Sequence, residues 1–372
     1  MISSSATGSA PPPVVRPEAP LLDVRNLKTY FDTPRGIVRA VDDVSFSVDR
    51  GATIGIVGES GSGKTVLSRS VMNLLPKKAT IPVGGEIMFE GRDLRTLSTK
   101  QMRSYWGPQM AMVFQDPMTS LNPVVKIGRQ ITEGIREHRD LNRRAAEAEA
   151  VALLRSVGIP APERRLGDYP HQLSGGMRQR VTIAIAMACG PKLLLADEPT
   201  TALDVTVQAQ ILDLLARQQR ERAMGMVLVT HDLGVVANRT DEIAVMYAGQ
   251  FVEKAPTAVI FGAMRHPYTE ALMRSIPRIE NPSHTRLDAI PGRPPDLAAL
   301  PAGCRFAARC RYAQQRCLQE SPPLLTGEQP GHEFRCFYPV GTPAGDGAHE
   351  RNLRDGRTAA GTEMDTLTMA SA

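Results

Sequence analysis

Residues Gly58 to Thr65 read GESGSGKT, three glycines and two serines closing on a lysine and a threonine, directly after the apolar run Thr53 to Val57. Glycines at these spacings let backbone N–H groups turn inward around an anion, a lysine ammonium adds a point charge, and the following hydroxyl can hold a divalent cation. The expected set around a nucleotide's phosphates is Gly58, Ser60, Gly61, Ser62, Gly63, Lys64, Thr65 and Val66, with Lys64 on the β- and γ-oxygens and Thr65 on Mg²⁺. A second candidate is LLLADEP, Leu193 to Pro199, a buried-strand pattern ending in two carboxylates. Two acids at a strand end are often no more than a solvated terminus. Beside a phosphate loop they divide the labour: Asp197 holds Mg²⁺ and Glu198 polarises the attacking water, a general-base effect of about 10²- to 10⁴-fold in rate.

Leu173 to Met177 read LSGGM. Ser174 is a good helix N-cap, and Gly175 and Gly176 expose backbone amides, so the segment predicts a second anion site at a helix start. At this point the chain resembles the ATP-binding-cassette superfamily, whose signature motif LSGGM matches. The remaining family positions follow in order: Gln115 after AMVF at the glutamine loop, Asp204 in TALD at the dimer-facing loop, His231 after MVLVT at the switch histidine, and Phe31 at the aromatic position that stacks on adenine. Tyr30 competes with Phe31 for that last assignment. The resemblance implies ATP as substrate and Mg²⁺ at Thr65, Gln115 and Asp197. It implies catalysis by Glu198, His231 and Lys64, and a dimer in which Ser174, Gly175, Gly176 and Asp204 of one subunit complete the site of another.

The C-terminal part narrows the resemblance. HPYT (His266 to Thr269), IPGRPPD (Ile290 to Asp296), GCRFAARCRYAQQRC and GHEFRC are similar to the extension of oligopeptide, dipeptide and nickel importer ATPases. Cys304, Cys310, Cys317 and Cys336 are spaced C-x₅-C-x₆-C-x₁₈-C, unlike the short knuckles of most structural zinc sites. Members with this pattern resemble those carrying a [4Fe–4S] cluster; Zn²⁺ is the rival, and tetrahedral thiolate sites suit both. Arg305, Arg309, Arg311 and Arg316 stand where they could offset a cluster's negative charge, and His332 is expected at the surface.

The elements that must carry these residues are legible in outline. Ala52–Val57, Leu193–Ala196 and Met226–Val229 are short apolar runs leading into polar or glycine-rich residues, the pattern of buried parallel strands. Leu22–Phe31, Val38–Val48 and Glu86–Phe89 alternate apolar and polar residues around turn signals, the pattern of an antiparallel flank. The expected fold is α/β: a P-loop cassette ATPase core over residues 21–260 with an antiparallel β flank, an inserted α-helical subdomain over about 98–172, and a small Cys-rich C-terminal domain over 261–340. A disordered arm is expected over 1–20 and a disordered tail over 341–372.

With 372 residues, 42% hydrophobic and 22% charged, the chain can bury a large core, yet its longest apolar stretch, Val181 to Cys189, is too short to span a bilayer. The net charge of +5 is spread along the chain without interleaved aromatics, which speaks against nucleic acid as partner. By resemblance, the partners are a second ATPase subunit that is a paralogue, two transmembrane permease subunits and an extracytoplasmic substrate-binding protein. The place is the cytoplasmic face of the cell membrane, and the cargo a short peptide, with nickel or another small solute as the alternative. A soluble cassette ATPase acting on nucleic acid or ribosomes is the reading from another class.

Overall fold

The computed structural model describes residues 19–76, 80–116, 120–201, 203–276 and 290–364. The N-terminal arm expected over 1–20 therefore falls almost wholly outside the described residues, as does the last stretch of the tail.

Twelve strands are described: β1 (Leu22–Thr33), β2 (Gly36–Val48), β3 (Thr53–Val57), β4 (Thr80–Phe89), β5 (Arg92–Asp93), β6 (Met110–Val113), β7 (Leu193–Asp197), β8 (Gly225–Thr230), β9 (Glu242–Tyr247), β10 (Gln250–Pro256), β11 (Leu325–Thr326) and β12 (Glu333–Phe334). Eight of them form one sheet in the order β11-β12-β10-β9-β3-β8-β7-β6. Its centre is parallel, β3 lying between β8 and β9 and β7 between β8 and β6. The side chains explain why. Along β7, Leu194 and Ala196 enter one hydrophobic core while Leu193 and Leu195 enter the other; β8 divides Met226 and Leu228 from Val227 and Val229 in the same way. A strand buried on both faces needs an unbroken apolar run, which is what these segments carry.

The flank expected to be antiparallel is a second sheet, β2-β1-β4-β5, with β1 pairing antiparallel to both β2 and β4. Its inward face, including Val24, Leu27, Val41, Val44 and Phe46, joins the core that holds Ile54 and Ile56 of β3. On the opposite side of the main sheet lie the helices Ile127–His138, Arg143–Ser156 and Gly175–Met187. The first presents Ile127, Ile131 and Ile135 at helical spacing to the core, each fully buried.

Four expectations are corrected. The helical insert does not begin at 98: β6 lies inside that range and belongs to the main sheet, because Met110–Val113 is an apolar run that pairs with β7. The tail from 341 is not structureless, since Pro343–Arg354 forms a helix capped by Thr342, whose hydroxyl accepts from the Gly345 N–H at 3.2 Å. The C-terminal segment is not a separate Cys-rich body: β11 and β12 extend the main sheet, and Phe306, Cys310, Tyr312 and Ala313 join the same core as Ala255 and Ile260. His332 is buried rather than superficial, because its Nε2 sits 2.8 Å from Glu253 Oε1. That carboxylate, itself buried, also accepts the backbone N–H groups of Arg265 and His266, so one acid ties β10 to two C-terminal segments. Among the described residues no helix is long and apolar enough to cross a membrane.

Candidate active site

The phosphate loop runs from the end of β3 into the helix Lys64–Val71. Two of its glycines are required by space. A Cβ at Gly58 would stand 2.1 Å from the Met246 carbonyl oxygen, and one at Gly63 2.1 Å from that of Ala40. Gly63 also has φ of 108°, a left-handed conformation that side chains resist. Lys64 is buried and donates from Nζ to the carbonyls of Gly58 (2.7 Å) and Glu59 (3.0 Å), which closes the loop on itself. Ser62 is buried and its hydroxyl has no partner among the described residues, a polar atom left for a ligand at the centre of the loop. Ser60 and Gly61 face solvent, and Val66 packs partly buried behind the loop.

The acids come from β7, which lies next but one to β3, with β8 between them. Asp197 is buried and its Oδ1 accepts from the Thr65 hydroxyl at 3.2 Å, so two oxygen ligands for a cation share one position. Burial raises the Asp197 pKa, the Thr65 hydrogen bond opposing, and a bound cation would lower it again. Glu198 turns sharply off the strand with φ of 46°, held by its own N–H to Val229 O at 2.9 Å. Its carboxylate receives Gln115 Nε2 at 3.1 Å and the Thr201 hydroxyl at 3.0 Å, while Lys64 Nζ lies 3.6 Å and His231 Nδ1 3.5 Å away. The His231 contact first, then Thr201 and Lys64, hold Glu198 down to about 2 against the effect of burial. Reciprocally, Glu198 raises the pKa of His231. Burial lowers that of Lys64, with Glu198, Asp197 and Glu59 working the other way.

The other expected residues lie apart from this cluster. Ser174 caps the helix Gly175–Met187, its hydroxyl accepting from the Met177 N–H at 3.3 Å. Asp204 caps the helix Val205–Arg222 through Val207 at 2.9 Å. Among the described residues no hydrogen bond or ion pair joins Ser174, Gly175, Gly176 or Asp204 to the phosphate loop, so within one chain they complete nothing. Between the rival aromatics, Tyr30 is engaged: its hydroxyl donates to Asp42 at 2.5 Å, whereas half-buried Phe31 has no such tie.

Around the cysteines the expected metal set is not shown: among the described residues no group of His, Cys, Asp or Glu is placed to hold a metal ion, and all five cysteines are free thiols. What exists is one small pocket whose lining includes Cys304, Cys310, Cys317 and Cys336. Burial raises all four thiols, Cys304 to about 11. Arg305 and Arg309 do not face this pocket: Arg305 bonds Asp42 and Arg309 bonds Glu59. Cys189 lies just beyond the helix Gly175–Met187, half-buried, donating to Gly134 O at 3.4 Å.

Sequence reasoning missed Thr201, Tyr268 and Arg309. Thr201 stands three residues after Glu198 in EPTT, a spacing that could have marked it; the other two reach the site from more than 200 positions away.

A phosphate loop at the end of a parallel strand, with an acid pair on the strand next but one and a glutamine and histidine converging on the second acid, defines a P-loop ATPase of the cassette class. The family model described as ABC transporter matches residues 41–201, and that described as oligopeptide/dipeptide transporter, C-terminal region, matches 252–317. The oligopeptide transport ATP-binding protein OppD of Bacillus subtilis (strain 168) is 51% identical over 305 residues, 82% of this chain and 85% of its own length. The probable peptide ABC transporter ATP-binding protein y4tR of Sinorhizobium fredii is 50% identical over 317 residues, 85% of this chain and 94% of its own. A solved dimer of the ATP-binding cassette MJ0796 bound to ADP and Pi superposes with a TM-score of 0.57 at 25% identity, over 63% of this chain and 98% of that one. The chain belongs to the ABC transporter ATPases, in the oligopeptide/dipeptide transporter group, and hydrolyses ATP.

Proposed function

We propose that this chain is the ATP-hydrolysing subunit of a membrane importer of short peptides, seated on the cytoplasmic face of the membrane. The observation that carries this reading is the convergence of Gln115, Lys64, Thr201 and His231 on Glu198, in a chain whose C-terminal region matches that of oligopeptide and dipeptide transporters. The polyphosphate of ATP enters the loop against the amides of Gly61 to Thr65, and competes with Glu198 for the Lys64 ammonium. Glu198, released from that pair, takes the proton of the attacking water. His231 keeps Nδ1 toward Glu198, which leaves Nε2 as donor to a γ-phosphate oxygen.

Thr65 and Asp197 would hold Mg²⁺, whose positive charge offsets that of the β- and γ-phosphates; the hydrogen bond between their oxygens supports the assignment. Gln115 gives its amide to Glu198 and keeps its carbonyl oxygen for the cation. Phe31 stacks on the adenine.

The signature residues serve a second subunit. Ser174, Gly175 and Gly176 present the start of a 13-residue helix with no partner in their own phosphate loop, which supports a dimer with each site shared across the interface. The second subunit is a paralogue, with two transmembrane permeases and an extracytoplasmic binding protein completing the assembly.

The pocket of four cysteines is read as the seat of a [4Fe–4S] cluster. Four thiols on one small pocket, unpaired by disulfides, support it, with a tetrahedral zinc on the same thiols as the alternative. Such a group would supply cross-links among the C-terminal loops. Iron and sulfide analysis of anaerobically purified protein, with Cys310→Ser as control, tests it.

The functional reading itself is tested in proteoliposomes containing the chain, its neighbouring ATPase and the permeases. Peptide uptake that needs ATP and the binding protein, and that vanishes with Glu198→Gln, supports it. Uptake of nickel but not peptide would shift the reading to the alternative.

A further inference from the structure

Glu59, the second residue of the phosphate loop, is held from outside the nucleotide-binding core at two points. Its carboxylate receives both arms of the Arg309 guanidinium, at 2.6 and 2.8 Å, and its backbone N–H donates to the Tyr268 hydroxyl at 2.8 Å. Both partners are buried. Arg309 ends the short turn Ala307–Arg309, and its remaining donors go to Pro291 O at 2.7 Å and the Tyr247 hydroxyl at 3.3 Å, so it has no freedom to follow another anion. Tyr268 belongs to the helix Pro267–Arg274 and packs its ring against Tyr247 and Phe306. Neighbouring arginines fasten the same C-terminal segment elsewhere, Arg305 to Asp42 and Arg335 to Asp43.

A carboxylate in a loop that must receive a polyphosphate is an electrostatic liability. The Glu59 carbonyl already accepts from Lys64, and the charge of Glu59 is felt at that lysine. A planar guanidinium bonded through two parallel N–H groups cancels the charge and fixes the carboxylate's direction together. We infer that Arg309 and Tyr268 are positioning residues for ATP hydrolysis, which hold Glu59 neutralised and turned away from the phosphates and so set the affinity of the loop for ATP. This inference concerns the ATPase reaction and is independent of the cargo.

The test compares the full chain with Arg309→Met, Glu59→Gln and the double variant, measuring kcat, KM for ATP and melting temperature. The unpaired carboxylate of Arg309→Met should raise KM for ATP about tenfold, more than it lowers kcat. Glu59→Gln in that background removes the stranded charge and should bring KM back to within about threefold of wild type, although the packing lost with Arg309 stays lost. A purely structural arginine gives no such rescue. Wild-type KM in Arg309→Met, or a defect that Glu59→Gln leaves unrepaired, overturns the inference. If Arg309→Met does not fold, Tyr268→Phe decides: it keeps the ring and removes only the acceptor of the Glu59 N–H. A KM raised severalfold with the melting temperature kept supports the inference, and an unchanged KM overturns it.

Discussion

His231 Nδ1 lies 3.5 Å from Glu198 Oε2, the same oxygen that accepts from Gln115 and Thr201. One carboxylate oxygen thus gathers Gln115, Thr201 and His231, and removing it should be felt by all three. Glu198→Gln should lower ATP turnover by about 10²- to 10⁴-fold while ATP still binds, since the loop contacts are untouched. Phosphate release alongside nucleotide-binding titration checks this.

The same contact gives a pH dependence. The folded pKa of His231 is raised by Glu198, so its contribution to stability is fully present below about pH 6.5, the ordinary histidine value, and fades as pH rises through the raised one. The folded pKa of Glu198 is depressed to about 2, so its contribution is fully present above about pH 4.3, the ordinary glutamate value, and is lost as pH falls from there through about 2. Histidine NMR titration should show the His231 pKa drop in Glu198→Gln; an unchanged value would contradict the geometry.

Thr65→Val keeps the shape of the side chain and removes the hydroxyl bonded to Asp197. The Mg²⁺ concentration needed for half-maximal turnover should rise about tenfold or more, as expected when one ligand or its orienting partner is lost. An Mg²⁺ titration of initial rates measures it.

His332→Ala would leave the Glu253 carboxylate, whose side chain has 0% exposure, without its ring partner. Removing the partner of a buried, hydrogen-bonded carboxylate that keeps its backbone donors costs about 1–3 kcal/mol. Denaturant unfolding should show that loss, whereas surface Arg143→Ala, which breaks an exposed pair with Glu147, should change stability by less than about 0.5 kcal/mol.

The nucleotide chemistry was legible in the residues because it is local. Eight consecutive residues make the phosphate loop, two adjacent acids end a strand, and a serine with two glycines starts a helix; each is specified by neighbours whose backbone geometry follows from their types. The central strands were legible for the same reason, since burial on both faces leaves an unbroken apolar run such as Leu193–Ala196.

What joins distant segments carries no local signal. That Arg309 meets Glu59 across 250 positions, that His332 is drawn inside by Glu253, and that β6 belongs to the main sheet depend on which surfaces remain unpaired once the strands have assembled. The same holds for the thiols: their spacing in the chain suggested a metal set, but where each side chain points is decided by the core that Cys310 joins. By itself the sequence determined the reaction, through short motifs with built-in backbone geometry. Only the tertiary structure decided how the C-terminal segment grips the phosphate loop, because a charge buried in the core must find its partner wherever the fold brings one.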